Sequence, residues 1–180
     1  MTENTPFELL NTIRKEAKIL AEKGLTYSAL STGIKNIAYR VNGVNFYCDA
    51  SDIKEVSVCE NLMVVPQTKR WLRGLVNSKG VLYSVSDVSL FAGFGRPVQT
   101  NKGHLLLLND DSHQSALLVN RVIGFRYFDD IETVVDIDSK QDVLDGLSAF
   151  VNQGFHAEGQ DWYELNVSKL LESEQFREVQ

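Results

Sequence analysis

Trp71-Leu72-Arg73-Gly74-Leu75-Val76-Asn77-Ser78-Lys79-Gly80-Val81-Leu82-Tyr83-Ser84-Val85-Ser86-Asp87-Val88 is the stretch that decides the fold. It reads as two short strands around a turn. Leu75 and Val76 supply the first apolar patch, and Asn77-Ser78-Lys79-Gly80 carries the small and polar residues a chain reversal needs. Beyond it, Val81, Tyr83 and Val85 alternate with Leu82, Ser84 and Ser86, the period of a strand with one face buried. Four cations, Lys69, Arg70, Arg73 and Lys79, bracket this hairpin in a chain of net charge -6.

Outward from the hairpin, short strands dominate. Ile37-Ala38-Tyr39-Arg40-Val41 and Val44-Asn45-Phe46-Tyr47-Cys48 flank Asn42-Gly43, a strong hairpin signal. Residues 53–58 read as a third strand, and 62–65 as its exit, ended by Pro66. A glycine-rich stretch over 93–103 reads as a loop between two strand-rich halves. In the second half, His104-Leu105-Leu106-Leu107-Leu108 and Ser115-Ala116-Leu117-Leu118-Val119 enclose a polar turn. Val122-Ile123-Gly124-Phe125, an acidic segment over 129–138 and a last strand at Trp162-Tyr163-Glu164-Leu165 follow. Strands at this spacing without alternating helices favour small barrels over a parallel sheet.

The ends read as helical. Thr5 caps, Pro6 takes the first helical position and Glu8 completes a capping box. Leu9, Ile13, Ala17 and Leu20 then share one face, and Gly24 stops the helix. Asn166 caps a terminal helix carrying Val167, Leu170 and Leu171.

Composition excludes several function classes. An acidic chain lacks the cationic surplus that nucleic-acid binding draws on. Its amino terminus lacks the order of a signal peptide, and no apolar run approaches the roughly 18 residues of a membrane span. Cys48 and Cys59 read as reduced, partly buried thiols, so the expected setting is the cytoplasm. His104, His113 and His156 show no metal spacing, and no cofactor or metal motif is present. Asp136-Ile137-Asp138 opens like a calcium loop but lacks its glycine and final glutamate. A hydrolase would need His156, Glu158 or the Asp129-Asp130 pair to converge in a pocket. A single-strand nucleic-acid binder would use Trp71 and its neighbouring cations.

The block from Pro66 to Asp87 resembles the signature of CheW-like proteins, "G-V-x-N-x-R-G-x-x-x-P-V-x-D-L": here Gly74-Leu75-Val76-Asn77-Ser78-Lys79-Gly80, then Val85-Ser86-Asp87-Val88. Ile53-Lys54-Glu55-Val56 and Asn166-Val167-Ser168-Lys169-Leu170-Leu171 are similar to two further family segments. Thr5-Pro6-Phe7-Glu8-Leu9-Leu10, Phe155-His156 and Trp162 resemble the type IV pilus branch of that family.

The resemblance implies a mainly β fold: two small five-stranded SH3-like barrels with flanking N- and C-terminal helices. The expected layout is a helix and linker over 1–35 and a CheW-like domain over 36–180. Within the domain, the expectation is a first barrel over 36–97, a second over 102–165 and a terminal helix over 166–180. The resemblance further implies a non-catalytic, cofactor-free adaptor. Its partners would be the signalling tip of a methyl-accepting, PilJ-like chemoreceptor and the regulatory domain of a CheA-type histidine kinase. No nucleic acid and no membrane insertion are expected; association with membrane arrays would run through those partners. A CheW for flagellar chemotaxis is the alternative within the class. Ile53, Glu55, Val56, Arg73 and Lys79 become receptor- or kinase-binding residues, with Glu55 and Lys79 close together and Ile53 and Val56 as groove wall. Asn77 and Gly80 serve the turn, and Asp87 caps local backbone groups. Two departures from the family pattern stand out: Lys79 replaces an arginine and Ser84 a proline.

Overall fold

The computed structural model describes residues 35–180 except Asp111, Asp129, Asp130, Val179 and Gln180; the expected amino-terminal helix and the Asp129-Asp130 pair lie outside the described residues. Eleven strands are described: β1 (Asn36–Val41), β2 (Val44–Asp49), β3 (Ile53–Val58), β4 (Leu72–Ser78), β5 (Val81–Asp87), β6 (His104–Leu108), β7 (Ser115–Val119), β8 (Arg121–Arg126), β9 (Thr133–Val135), β10 (Val151–Ala157) and β11 (Gln160–Leu165). They form a six-stranded sheet, β8-β1-β2-β11-β10-β9, and a five-stranded sheet, β3-β6-β7-β5-β4.

The chain is mainly β, but the sheets are not successive halves of it. The first sheet takes residues 36–49 and 121–165 and the second lies wholly within 53–119, which corrects the expected division at 97/102. The physical reason is long-range parallel pairing, which adjacent segments joined by tight turns cannot make. Trp162, Tyr163 and Glu164 of β11 pair with Asn45, Phe46 and Tyr47 of β2, so the carboxy-terminal strands complete the first sheet. One sheet also has six strands where five were expected, because Thr133–Val135, inside the acidic segment, adds an edge strand to β10.

The continuous apolar runs of β6 and β7 follow from burial on both faces. Leu106, Leu108, Leu117 and Val119 join a core shared with Ile37, Tyr39 and Phe46 of the other sheet. Their neighbours Leu105, Leu107, Ala116 and Leu118 pack inside the five-stranded sheet with Val76, Tyr83 and Val85. A third cluster, around Tyr47, Phe128, Phe155 and Trp162, belongs to the six-stranded sheet. The described domain is therefore layered, with one apolar interior for each sheet and a third where they meet.

The five-stranded sheet closes on itself. Beyond β3 the chain reaches Met63, which exchanges two backbone hydrogen bonds of 2.8 Å with Leu75 of β4. Residues 62–65 are thus an isolated bridge rather than a full strand exit. Gly74 stands at this contact with φ +139, beside a register shift between β4 and β5.

Two helical pieces had no sequence expectation. Asp87 caps a helix over Val88–Ala92, ended by Gly93 at φ +94. A run of 3-10 and α turns occupies residues 138–150. The terminal helix spans Val167–Glu172 under Asn166, and a further turn, Glu174–Arg177, seats Phe176 on Trp71 with ring centroids 5.3 Å apart and planes 15° apart.

Candidate functional site: an ion pair on an apolar rim

The β4–β5 turn is tight. Ser78 pairs with Val81, leaving only Lys79 and Gly80 in the loop, at φ +54 and +85. Both residues are left-handed, as a two-residue type I′ turn requires. The Gly80 amide donates to Asn77 Oδ1 at 2.9 Å, which ties the strand end to the loop. A non-glycine residue in this conformation costs about 1–2 kcal/mol, so Lys79 is a demanding choice here. Its reward is reach: Lys79 Nζ lies 2.7 Å from Glu55 Oε2 on β3. The lysine side chain is 78% exposed and the glutamate 30%. The pair thus sits in high dielectric, where such a contact stabilises by about 0–1 kcal/mol and steers a partner more than it holds the fold.

The strands that hold the pair, and the segment that bridges to β4, also carry exposed apolar side chains. Val56 and Val58 on β3, Met63 and Val64 in the bridging segment, and Val81 and Leu82 on β5 are all exposed, Val64 to 78%. Isolated exposed apolar residues need no explanation, but six on the elements around the charge pair form the candidate interaction rim.

Ile53 does not join this rim. It is 9% exposed and packs in the shared core opposite Leu108 of β6, ahead of a register shift in β3, which corrects the expectation of a groove wall. Arg73 is likewise committed internally. Its Nη1 donates to Asp87 Oδ2 at 2.7 Å and to the Val98 carbonyl at 3.3 Å. It sits near the start of β4, on the order of 15–20 Å along the strand from the turn. Asp87 is fully buried; besides Arg73 it accepts from the Val98 amide at 2.9 Å and the Leu90 amide at 3.2 Å. Burial pushes the Asp87 carboxyl up from its ordinary range, and these donors offset that only in part.

Residues 36–175 match the CheW-like domain. The chain belongs to the CheW-like family. It is also 25% identical over 177 residues to the protein PilI of Pseudomonas aeruginosa, covering 97% of this chain and 96% of that one. Among solved structures it is similar to the scaffolding protein TtCheW from Thermoanaerobacter tengcongensis, with TM-score 0.65 and 18% identity over 81% of this chain and 92% of that one. That likeness speaks for the fold.

Among the described residues of this CheW-like chain, the histidine and glutamate singled out for a hydrolase do not share a site. His156 Nδ1 lies 2.8 Å from Asp161 Oδ1, and Lys140 Nζ lies 3.1 Å from Asp161 Oδ2. The hydrogen bond from His156, then that from Lys140, holds the Asp161 carboxyl below the usual range. They line an open depression with Arg40, Asn45 and Tyr163, and no serine or cysteine is among its lining residues. Glu158 instead takes Arg126 Nη1 on both oxygens at 3.1 Å. His156 and Glu158 therefore have separate partners.

The basic fringe of the hairpin is mostly self-paired. Lys69 meets Glu178 at 3.3 Å, Arg73 meets Asp87 and Lys79 meets Glu55. Trp71, 8% exposed and covered by Phe176, presents no free ring for a base to stack on. Sequence reasoning missed Met63, Val64 and Leu82 as rim residues. The available signal was the apolar run at 62–65, but its exposure depends on the bridge to β4.

Proposed function

We propose that this protein is the coupling adaptor of a type IV pilus chemosensory system, linking the signalling tip of a methyl-accepting chemoreceptor to the regulatory domain of a CheA-type histidine kinase and so controlling twitching motility. The observation that carries the pilus assignment is the similarity to PilI along nearly the whole of both chains. The rim around Glu55 and Lys79 supports the adaptor reading, because it offers apolar contact and a steering charge pair without a reaction centre. In this reading the protein works in the cytoplasm, meets membrane arrays only through its partners, and uses Glu55, Val56 and Lys79 at the receptor. Arg73, Asn77, Gly80 and Asp87 hold the hairpin that presents them.

Co-purification of the full chain with the cognate receptor tip and kinase regulatory domain tests the assignment; binding to neither would overturn it. The residues have their own test. Lys79→Glu places two carboxylates where an ion pair stood and is expected to weaken receptor-tip binding roughly tenfold in calorimetry. The combined exchange Glu55→Lys with Lys79→Glu restores opposite charges and should recover part of that loss. Equal affinity for wild type and Lys79→Glu would mean the pair is only a solvated edge.

A further inference from the structure

The cations of the hairpin are mostly paired, and two unpaired ones stand elsewhere. Lys69, Arg73 and Lys79 each meet a carboxylate. Arg96 and Lys102, on the loop between the helix at Val88–Ala92 and β6, have no side-chain hydrogen bond or ion pair among the described residues. Both are exposed, and both line an open depression of about 430 Å³. Pro97 and Gln99 of the same loop, Asn42 of the β1–β2 turn and Asn120 between β7 and β8 extend its wall.

The frame of this depression is fixed before anything enters it. The Ser89 hydroxyl donates to the Arg96 carbonyl at 2.6 Å, and the Val98 amide donates to Asp87 Oδ2 at 2.9 Å. At the other end of the loop the Gln99 carbonyl accepts from the Lys102 amide at 3.0 Å and the Gly103 amide at 2.7 Å. The Asn42 amide donates to Asn120 Oδ1 at 2.8 Å, which orients the Asn120 side chain so that its Nδ2 remains a donor. A frame held in this way lowers the ordering cost of binding.

No carboxylate lines the depression, in a chain whose net charge is -6. Two carboxylates border the frame, and neither neutralises the cations. Asp87 is buried and bonded to Arg73; that of Asp145 lies beside Gly93, with no ion pair to Arg96 among the described residues. Two free cations and an amide donor attract and hold oxyanions. Arg96, Gln99, Lys102 and Asn120 are all exposed, which suits acidic side chains presented on a chain better than a small molecule that must be enclosed. Two cations also fall short of the several phosphates that nucleic-acid affinity draws on.

We propose that this depression is a docking site for an acidic segment of a protein partner, its carboxylates held between Arg96 and Lys102 and one of them accepting from Asn120 Nδ2. The site adjoins Val98 and so lies at the Asp87 end of β5, roughly 20–25 Å along that strand from Lys79. It is therefore a second surface, apart from the Glu55–Lys79 pair, and its test does not involve the receptor.

Titration of the isotope-labelled full chain with a glutamate–glycine repeat peptide tests this by NMR, with the glutamine–glycine peptide as the uncharged counterpart. The expected result is saturable movement of the Gln99, Lys102 and Gly103 amides and the Asn120 side-chain amide with the acidic peptide, and binding of the uncharged peptide weaker by roughly tenfold or more. The Gly80 amide, bonded to Asn77 beside Lys79, should not move, which separates docking here from capture at the hairpin turn. Arg96→Gln and Lys102→Gln should each weaken binding roughly fivefold. Lys169→Gln removes the same charge from an exposed position on the terminal helix and should leave affinity unchanged. No saturable shift, equal response to the two peptides, equal loss in Lys169→Gln and Lys102→Gln, or tighter binding of a single-stranded oligonucleotide of equal charge would each overturn the proposal.

Discussion

Gly74→Ala is expected to destabilise the domain by about 3–5 kcal/mol, the sum of a strained backbone and an over-packed contact. Gly74 holds φ +139, a conformation that side-chain-bearing residues rarely adopt. A Cβ built there would also fall well inside contact distance of the Met63 carbonyl. That obstacle is backbone rather than the end of a flexible side chain, and it belongs to the bridge that closes the five-stranded sheet. Relief therefore requires opening the two hydrogen bonds between Met63 and Leu75. Urea unfolding of the full chain followed by far-ultraviolet circular dichroism gives the measurement. A midpoint within error of wild type would show that the bridge adjusts freely. Gly43→Ala is the useful contrast: its φ is +90, but a Cβ there meets nothing within 4 Å, so only the backbone cost of about 1–2 kcal/mol is expected.

The same contrast explains which parts of the fold could be read from sequence. Asn42-Gly43 marks a two-residue turn and Asn77-Ser78-Lys79-Gly80 a reversal by local chemistry alone; the structure has both, the second narrowed to Lys79-Gly80. The apolar runs at 105–108 and 116–119 are visible as strands because continuous burial leaves a continuous pattern. How the strands divide between sheets was not legible. That division depends on β2 meeting β11 and β5 meeting β7, pairings whose partners are separated by long stretches of chain. The short helix at Val88–Ala92 escaped notice because five mostly apolar residues show no helical period, although Asp87 and Gly93 stand at its two ends as cap signals.

At the site, the charge pair and Val56 were available by resemblance, and the rest of the apolar rim was not. Glu55 and Lys79 could be placed together because both fall in segments that resemble the family. Leu82 falls on the outward side of the alternation in β5, whereas Val64 follows Met63, whose bridge to Leu75 no local pattern encodes. Arg73 illustrates the opposite error. Its membership of a basic cluster made it look available, whereas its carboxylate lies fourteen positions later in the chain. Charge composition cannot reveal such a partner, because the bulged pairing between β4 and β5 brings it there.

Removing that carboxylate is expected to be as damaging as crowding Gly74. Asp87→Ala leaves the Arg73 guanidinium partly buried without its counter-charge and strips the Leu90 and Val98 amides of an acceptor. Removing one partner of a buried pair costs about 3–5 kcal/mol. Three elements depend on this one side chain: β4 through Arg73, the helix at Val88–Ala92 through its cap, and the loop before β6 through Val98. Hydrogen exchange on Asp87→Ala should therefore show loss of protection concentrated at residues 88–98 and in β4, beyond a uniform fall in stability. Asp87→Asn keeps an acceptor and should lose less. The double variant Arg73→Met with Asp87→Leu removes both charges and should recover part of the stability lost in Asp87→Ala, since the unpaired guanidinium is then gone. If the double variant is instead less stable than Asp87→Ala by the full cost of Arg73→Met alone, the two residues act independently and the ion pair is not what joins the hairpin to the loop before β6.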